Sequence, residues 1–369
     1  MLKQVSYILI PFLLLSVLCA ATQYGPKYTN LRYLGMGNAR LALVDDGTAV
    51  FFNPAGLNNY YDHLTLYGEP VRFVFGPSFF KGANFLVKHV GKLSDPTKPT
   101  NEYYNDFAAI DGLWTTFGYI PEFRCNTRNM GVGLNINFQP QIALESGLYS
   151  PKVGIGVTND VVLAAGAANR FGRRWSIGLN TKFIYRIIKK AEFLDVTDAI
   201  VFGRTLEKQS ALTAINKFAE IKRGIGFDFG AIYHAGLTKY ALVLQDFPTF
   251  LQGTLVHPGL NVGVAHHVGS LQLNPKLNKF LEDCIFAFDI HDFFGSGSFL
   301  KKIHMGGEIK IANLDIQGGF NQGYPTFGMT LKWWIFKAFY VNFTEERGQY
   351  VGELPFPAHV IGASMDISL

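Results

Sequence analysis

The stretch LGMGNARLALVDDGTAVFFNPAGL, from Leu34 to Leu57, decides how the rest of the chain is interpreted. It ends in Asn53-Pro54-Ala55-Gly56, which predicts a compact turn, because Pro54 presets φ at the first central position and Gly56 suits the fourth position. Many of its side chains are small, so it can fit inside another part of the molecule. We expect a plug that lies in the lumen of a barrel built from the remaining chain.

An apolar run from Ala39 to Val44 occupies the middle of this stretch and follows Gly35, Gly37 and Asn38. The run predicts a short helix, which the Asp45-Asp46-Gly47 sequence would end. Few large side chains would anchor such a plug, so local movement could open a path past it; a plug that only seals and stabilises the lumen is the alternative.

The composition indicates contact with lipid. Of the 369 residues, 15% are aromatic and only 17% are charged, whereas an average chain carries about 25% charged residues. The net charge of +5 is spread along the chain without a dense basic run, so we expect no nucleic-acid partner.

The first 21 residues, Met1 to Ala21, are typical of a secretion signal, with Lys3, an apolar centre and a small-residue cleavage site. After them, no stretch of about twenty apolar residues occurs. Cys125 and Cys284 remain in the mature chain, and whether they pair is left open. The expected organisation is a signal at 1–21, an N-terminal plug or hatch at 22–60 and a barrel at 61–369.

Alternation of apolar and small polar residues predicts β-strands through most of the chain. Ile177, Leu179 and Phe183 alternate with Ser176, Gly178, Asn180 and Lys182, and the same period recurs in the later segments. The polar face is rich in Gly, Asn, Ser and Thr, and many runs approach ten residues, the length of a tilted membrane-spanning strand. Trp333-Trp334, Phe339-Tyr340, Trp114 and Trp175 lie near strand ends, as interfacial girdles require.

Fifteen candidate strands follow from this pattern, and barrels of one bacterial chain favour even numbers, so one candidate is a lumenal piece or part of a neighbour. The candidates are 64–75, 79–90, 113–123, 129–139, 154–169, 174–188, 224–234, 239–246, 259–268, 284–293, 302–312, 314–321, 326–336, 338–344 and 359–369. We therefore predict an all-β, transmembrane antiparallel barrel of about 14 strands with an N-terminal plug. Longer connections are expected at 91–106, 189–223, 270–283 and 345–357, with an amphipathic helix at 206–221.

Sequence patterns of enzymes are weak in this chain. Gly35-Met36-Gly37-Asn38 lacks the third glycine of a dinucleotide loop, and no metalloprotease or phosphate-loop motif occurs. Alternation places Asp289 and His291 on one face and Asp292 on the other, which favours a lumen-facing polar pair over a metal site. We expect no enzymatic activity, no cofactor and no metal.

Three segments carry a resemblance to a known family: GMGNARLALVDDGTAVFFNPAGL, GIGFDFGAIY and HMGGEIKIANLDIQGGFNQGYPTFGMTL. They resemble the FadL-type outer-membrane transport superfamily, closest to its PorV-like and spirochaete branches. The resemblance implies a fourteen-stranded barrel with an N-terminal hatch in the bacterial outer membrane. The hatch residues that it implies are Gly37, Asn38, Ala39, Asp45, Asp46, Asn53, Pro54, Ala55, Gly56 and Leu57.

The function implied is passive uptake of hydrophobic molecules such as long-chain fatty acids, with outer-membrane lipids around the barrel. The basic residues that hold a fatty-acid carboxylate in that family have no recognisable match here. A PorV-like scaffold for protein secretion or surface attachment is the alternative, and a general water-filled porin is disfavoured by the plug. An uptake channel predicts an apolar cavity next to the hatch, whereas a scaffold predicts a sealed lumen.

Overall fold

The structure is a computed structural model of the 369-residue chain, and it describes residues 28–44, 47–59, 64–84, 87, 113–127, 129–146, 151–195, 220–268 and 281–369. The strands are β1 Thr65–Phe75, β2 Leu113–Tyr119, β3 Glu122–Thr127, β4 Met130–Ser146, β5 Pro151–Phe171, β6 Trp175–Asp195, β7 Glu220–Ala235, β8 Thr238–Gln245, β9 Thr249–Leu251, β10 Thr254–Leu255, β11 Gly259–His267, β12 Leu281–Ile290, β13 Ile303–Ile311, β14 Leu314–Asn321, β15 Tyr324–Trp333, β16 Phe336–Glu346 and β17 Pro355–Ser368. Short helices span Leu31–Gly35, Ala49–Phe52 and Phe299–Lys302, and a 3-10 helix spans Pro54–Asn59.

These strands form one closed antiparallel barrel with 14 positions in its wall. Each strand pairs with its neighbours, and β1 closes the barrel by pairing with β17. Strands β2 and β3 share one position, because both pair with β1 and with β4 on either side of Ile120-Pro121. Strands β9 and β10 form a small hairpin beyond the end of β8, and only β9 pairs back to β7.

The prediction of about 14 strands is thus confirmed, and the surplus candidate is 79–90. Its described residues 79–84 are helical instead, so that candidate strand is wrong. Phe79 and Phe80 of this helix pack their rings against Phe75 of β1, at centroid distances of 5.1 and 6.0 Å. Aromatic packing on the end of β1 therefore replaces the pairing that a further strand would need.

Apolar side chains face outward and polar side chains face inward. In β6, Ile177 and Phe183 are 47% and 54% exposed, whereas Lys182 is 0% exposed. Strand β17 repeats the pattern, with Ile361 exposed and Ser364 buried. The exterior is therefore a surface suited to acyl chains, as the alternation predicts, and the inner face combines polar residues with buried apolar ones such as Val162 and Ile285.

The two ends of the barrel differ. Both described chain ends of the barrel, Thr65 and Ser368, lie at the end with tight turns, such as the turns at 172–174 and 334–335. The opposite end carries the connections 76–112, 147–150, 196–219, 291–302 and 347–354, whereas the connection 268–280 belongs to the tight-turn end. Strands β5 and β6, each 21 residues long, extend toward that opposite end. At about 3.3 Å per residue they are longer than a bilayer crossing needs.

Aromatic residues collect at the tight-turn end. Trp333, Trp334 and Trp175 are exposed there, and the Trp175 ring lies 4.9 Å from that of Tyr233. Phe339 is buried on the inner face, so its predicted place in a girdle is wrong, whereas its neighbour Tyr340 faces outward. The side chain of Trp114 lies outside the described residues.

Three further predictions concern helices and cysteines. The expected helix 206–221 lies outside the described residues up to 219, and residues 220 and 221 belong to β7. Among the described residues, no helix has the length and apolarity to cross a membrane. Cys125 and Cys284 are free, with Cys125 exposed and Cys284 buried.

Candidate functional site: the N-terminal segment inside the barrel

Residues 28–44 and 47–58, here called the inner segment, lie inside the barrel. Nearly all of their side chains are buried, and they form one apolar cluster with wall residues such as Val162 and Ile285. Polar wall residues contact the segment from opposite sides: Asn180 of β6 donates to the Val50 carbonyl, and Glu308 of β13 accepts from Arg32. The segment therefore fills space that an open pore would leave to water.

The Asn53–Leu57 sequence forms the turn that its residues predict. The Gly56 amide donates to the Asn53 carbonyl at 3.0 Å, which closes the turn. The Asn53 side chain bridges two parts of the segment, because its amide group donates to the Leu41 carbonyl at 2.8 Å and its Oδ1 accepts from the Ala55 amide at 3.1 Å. A side chain at Gly56 would collide with Val44, so glycine is required for this packing.

Glycines of the wall provide the seat for this turn. Gly178 of β6 and Gly230 of β7 are direct partners across the sheet. A Cβ atom at Gly178 would lie 2.3 Å from the Pro54 carbonyl carbon, and one at Gly230 would lie 2.0 Å from the Asn53 Oδ1. Such distances are too short for real atoms, so these inward glycines are what allows the turn to approach the wall.

A second set of glycines receives the start of the segment on another part of the wall. Cβ atoms at Gly306 of β13 and Gly319 of β14 would approach the Met36 backbone to between 2.4 and 2.7 Å. The glycine-rich strand segments that resemble the FadL type thus have a physical role. Their small faces line the lumen exactly where the backbone of the inner segment lies against them.

The stretch from Gly37 to Leu41 is held by polar side chains of β12, β13 and β15. Asp289 Oδ2 accepts from the amides of Arg40 and Leu41, at 2.5 and 2.9 Å. His304 Nδ1 lies 3.1 Å from the Gly37 carbonyl oxygen. Thr326 accepts from the Gly37 amide at 3.0 Å and donates to the Gly35 carbonyl.

This binding explains why the predicted helix over Ala39–Val44 is wrong. Gly37 and Asn38 both have φ of +67°, which interrupts the preceding helix. The amides of Arg40 and Leu41 then bond to Asp289 instead of to carbonyls one turn earlier, so only a single turn forms, closed by the Leu43 and Val44 amides on the Arg40 carbonyl. The helices form on either side of this stretch.

The expectation of few large anchoring side chains is also wrong. Tyr33, Phe51 and Phe52 are buried inside the barrel, and the rings of Tyr33 and Phe52 meet edge to face at 6.0 Å. Asp45 and Asp46 lie outside the described residues. The remaining implied hatch residues, which are Gly37, Asn38, Ala39, Asn53, Pro54, Ala55, Gly56 and Leu57, all lie in the inner segment.

Charged residues of the lumen form clusters that the sequence analysis missed. Lys182 of β6 lies 2.7 Å from Asp228 of β7 and 2.5 Å from Asp246, which follows β8. Arg186 makes two hydrogen bonds with Asp160, and Arg72 does the same with Glu69. The available signal was the position of each charge on the polar face of its strand.

One cavity among the described residues has a volume of about 350 Å³ and lies at the tight-turn end. Its lining is polar, with Arg32 from the inner segment and Lys310, Lys332 and Lys337 from the wall. Lys332 lies 2.6 Å from Asp315, and Lys337 lies 3.3 Å from Asp366. Because its lining is polar, this cavity is not the apolar cavity that an uptake channel predicts.

The histidines near Asp289 form a local pair. The rings of His291 and His304 stack at 4.0 Å, and His291 Nε2 lies 3.3 Å from Asp289 Oδ2. Asp292 contacts His257 instead; it lies beyond the end of β12, with φ of +49°, so strand alternation does not determine its direction. Across the described ranges, no group of three His, Cys, Asp or Glu side chains is arranged to hold a metal ion.

Comparison with known proteins finds similarity at the level of structure. No protein-family model and no curated protein matches the chain. The toluene transporter TbuX of Ralstonia pickettii matches with 12% identity and a TM-score of 0.52, over 92% of this chain and 97% of that one. The toluene transporter TodX of Pseudomonas putida matches with 11% identity and a TM-score of 0.49, over 94% and 99%. A FadL homologue of Pseudomonas aeruginosa matches with 9% identity and a TM-score of 0.33, over 94% and 99%.

At this identity, the match to TbuX establishes likeness of fold. Its coverage of both chains means that the likeness extends over the whole barrel. The chain therefore shares its barrel fold with TbuX.

Proposed function

We propose that this protein is a bacterial outer-membrane channel for the passive uptake of hydrophobic small molecules, with residues 22–60 as its hatch. The observation that supports this most directly is the filling of an inside-out barrel by the inner segment. An apolar exterior suits the chain to a bilayer, and a filled lumen is unsuited to unselective flow of water and ions. A channel of this kind passes cargo only when the inner segment shifts.

The driving force proposed for uptake is burial of the cargo. Removing apolar surface from water provides about 25 cal/mol per Å², so no energy source is needed for capture. The solved neighbours TbuX and TodX are toluene transporters by name, which supports apolar cargo in general.

Long-chain fatty acids are the cargo that we propose in particular. The cavity at the tight-turn end places Arg32, Lys310, Lys332 and Lys337 around one space. Basic side chains of this kind suit a carboxylate head group. Each wall lysine also has an acidic partner, so a fatty acid would compete for them with Glu308, Asp315 and Asp366.

Uptake by whole cells tests the function, because the lipopolysaccharide layer is the barrier that such a channel bypasses. The chain is expressed in a host strain without its own fatty-acid channel, and labelled oleate and toluene are supplied to energy-depleted cells. Faster uptake than in cells with the empty vector is expected, with oleate gaining more than toluene. Equal uptake in both strains, with the barrel folded in the outer membrane, would contradict the proposal.

Purification provides a second readout. An organic extract of the purified protein is expected to contain bound lipid by mass spectrometry. A co-purifying protein in place of lipid would instead support the alternative of a secretion or surface scaffold.

A further inference from the structure

The carboxylate of Asp289 is held in an unusual way. It is fully buried in the barrel wall, and its Oδ2 accepts from two consecutive backbone amides of the inner segment. Its Oδ1 is buried without a hydrogen-bond partner among the described residues. Most of the hydrogen bonds that stabilise this buried carboxylate therefore come from the inner segment.

The nearest cation does not form an ion pair with Asp289. The Arg40 guanidinium bonds to the Asn38 side chain and lies over the Phe52 ring at 4.2 Å. If the Arg40 and Leu41 amides moved away, the carboxylate would need a new partner, and water or this guanidinium could supply one. Asp289 can thus bond to the backbone amides of the inner segment while that segment is in place, and to water or the Arg40 guanidinium after it has moved.

The wall is shaped for this arrangement. Gly263 of β11 is the direct cross-strand partner of Asp289. A Cβ at Gly263 would lie 2.2 Å from Asp289 Oδ1 and 3.0 Å from the Leu41 Cβ. The glycine therefore leaves room for both the carboxylate and the segment that it binds.

The position of Asp289 also matters for opening. It lies one residue before the last residue of β12, at the end with long connections, where His291 follows. Outer-membrane barrels carry their longer loops on the outer side, so we infer that cargo from outside meets this end first. The Asn53–Leu57 turn packs closely on Gly178 and Gly230. The Met36–Gly37 backbone packs as closely on Gly306 and Gly319, whereas the Arg40 and Leu41 amides are held by the Asp289 carboxylate.

We propose that Asp289 is a positioning residue that latches the Gly37–Leu41 stretch to the wall, and that release of this latch is the step that opens the channel. This inference rests on the proposed function, since it assigns the gate of the same lumen. The moving part is the Gly37–Leu41 stretch, and the Asn53–Leu57 turn is the fixed end.

Single-channel recording in planar lipid bilayers tests the latch without any cargo, so its outcome is separate from that of the uptake assay. The variants are Asp289→Leu, which removes the acceptor, and Asp289→Asn, which keeps one oxygen but loses the charge that strengthens its hydrogen bonds. Asp366→Asn is the matched control, because Asp366 also lines the lumen but pairs with Lys337 of the wall.

Wild type and Asp366→Asn are expected to show rare openings in potassium chloride. Asp289→Leu is expected to raise the open probability at least tenfold, and Asp289→Asn to give a smaller increase. Heat-modifiability on gels shows whether each barrel is folded. If Asp289→Leu does not fold, Gly263→Ala replaces it, since the added Cβ would displace the carboxylate, and the same increase is expected.

Folded Asp289 and Gly263 variants with wild-type open probability would overturn the latch, as would an equal increase in Asp366→Asn. Increased openings in the Asp289 variants together with absent oleate and toluene uptake would support the latch and contradict the proposed cargo.

Discussion

Asn53 shows how a single side chain can join two parts of the inner segment. It bonds to the Leu41 carbonyl and to the Ala55 amide, and it is fully buried. Asn53→Ala leaves both groups unpaired, at a cost of about 1–3 kcal/mol for each buried group. We expect a lower midpoint for heat-induced unfolding on gels and more frequent openings in bilayer recordings.

The matched variant is Asn53→Asp, which keeps the acceptor for Ala55 but turns a carboxylate oxygen toward the Leu41 carbonyl at a fully buried site. Because a buried unpaired charge is costly, this variant is expected to be at least as destabilised as Asn53→Ala. An Asn53→Ala protein with wild-type stability and openings would show that the bridge is not needed.

His291 makes the contact of the inner segment sensitive to pH. Burial lowers the pKa of His291 well below its usual range, and the positive charge of Arg40 lowers it further. A base with a lowered pKa in the folded state leaves stability unchanged above its unfolded pKa, about 6.5, and lowers it below that pH, because the unfolded state takes up the proton more readily. The contact is therefore expected to weaken as the pH falls below about 6.5, where Asp289, His304 and Arg40 are the charged or titratable groups around His291.

Bilayer recordings between pH 7.5 and pH 5 check this expectation. The open probability of wild type should rise toward acid, and His291→Gln should reduce the rise. Identical pH profiles for the two proteins would contradict a role of His291 in the contact.

At the scale of elements, the wall strands are matched to the inner segment by glycines. Gly178→Ala or Gly230→Ala places a methyl group where Pro54 or Asn53 lies, so either variant should displace the turn. We expect increased trypsin cleavage at Arg40 in the folded barrel, because the displaced segment becomes accessible. Gly318→Ala is the control, since nothing lies within 4 Å of its added Cβ. If trypsin cleaves Gly230→Ala no faster than Gly318→Ala, the claim that the wall glycines hold the turn in place is contradicted.

Strands β6 and β7 and the end of β8 are also joined by a buried ion cluster. Lys182→Met leaves Asp228 and Asp246 without their cation, which costs about 3–5 kcal/mol when a buried partner is removed. The heat-induced unfolding midpoint should fall clearly. Replacing Asp228 by Asn in the same protein should recover part of the loss, and an unchanged midpoint in Lys182→Met would show that the cluster is dispensable.

The strands were largely predictable from sequence because alternation has a direct physical cause in an inside-out barrel. Outward residues of β6 are large and apolar, and its inward residues from Ser176 to Lys182 are small or polar, so this strand could be placed from its alternation. The strand candidate at 79–90 failed because aromatic packing of Phe79 and Phe80 on Phe75 gives the same apolar signal as a strand.

The conformation of the inner segment was predictable only in part. The Asn53–Gly56 turn depends on local residues, and it was predicted correctly. The stretch from Ala39 to Val44 depends on Asp289, which lies about 250 residues later in the sequence. Local periodicity does not contain that contact, so a helix was expected where the wall binds the amides instead.

For the whole molecule, the account joins an apolar exterior, a polar wall and a lumen that is filled rather than open. The exterior predicts that the folded protein requires detergent or lipid. A mature chain that stays monomeric and folded in buffer alone, by size-exclusion chromatography, would contradict the membrane assignment.

The filled lumen is the central claim, and thiol accessibility tests it most directly. In a protein with Cys125→Ala and Cys284→Ala, Ala39→Cys lies in the inner segment, where the native residue is 0% exposed, and Tyr350→Cys lies in a connection, where the native residue is 61% exposed. A membrane-impermeant maleimide should label Tyr350→Cys rapidly in folded protein and leave Ala39→Cys largely unlabelled until denaturation. Equal labelling of the two positions in the folded barrel would show that the lumen is open and contradict the account.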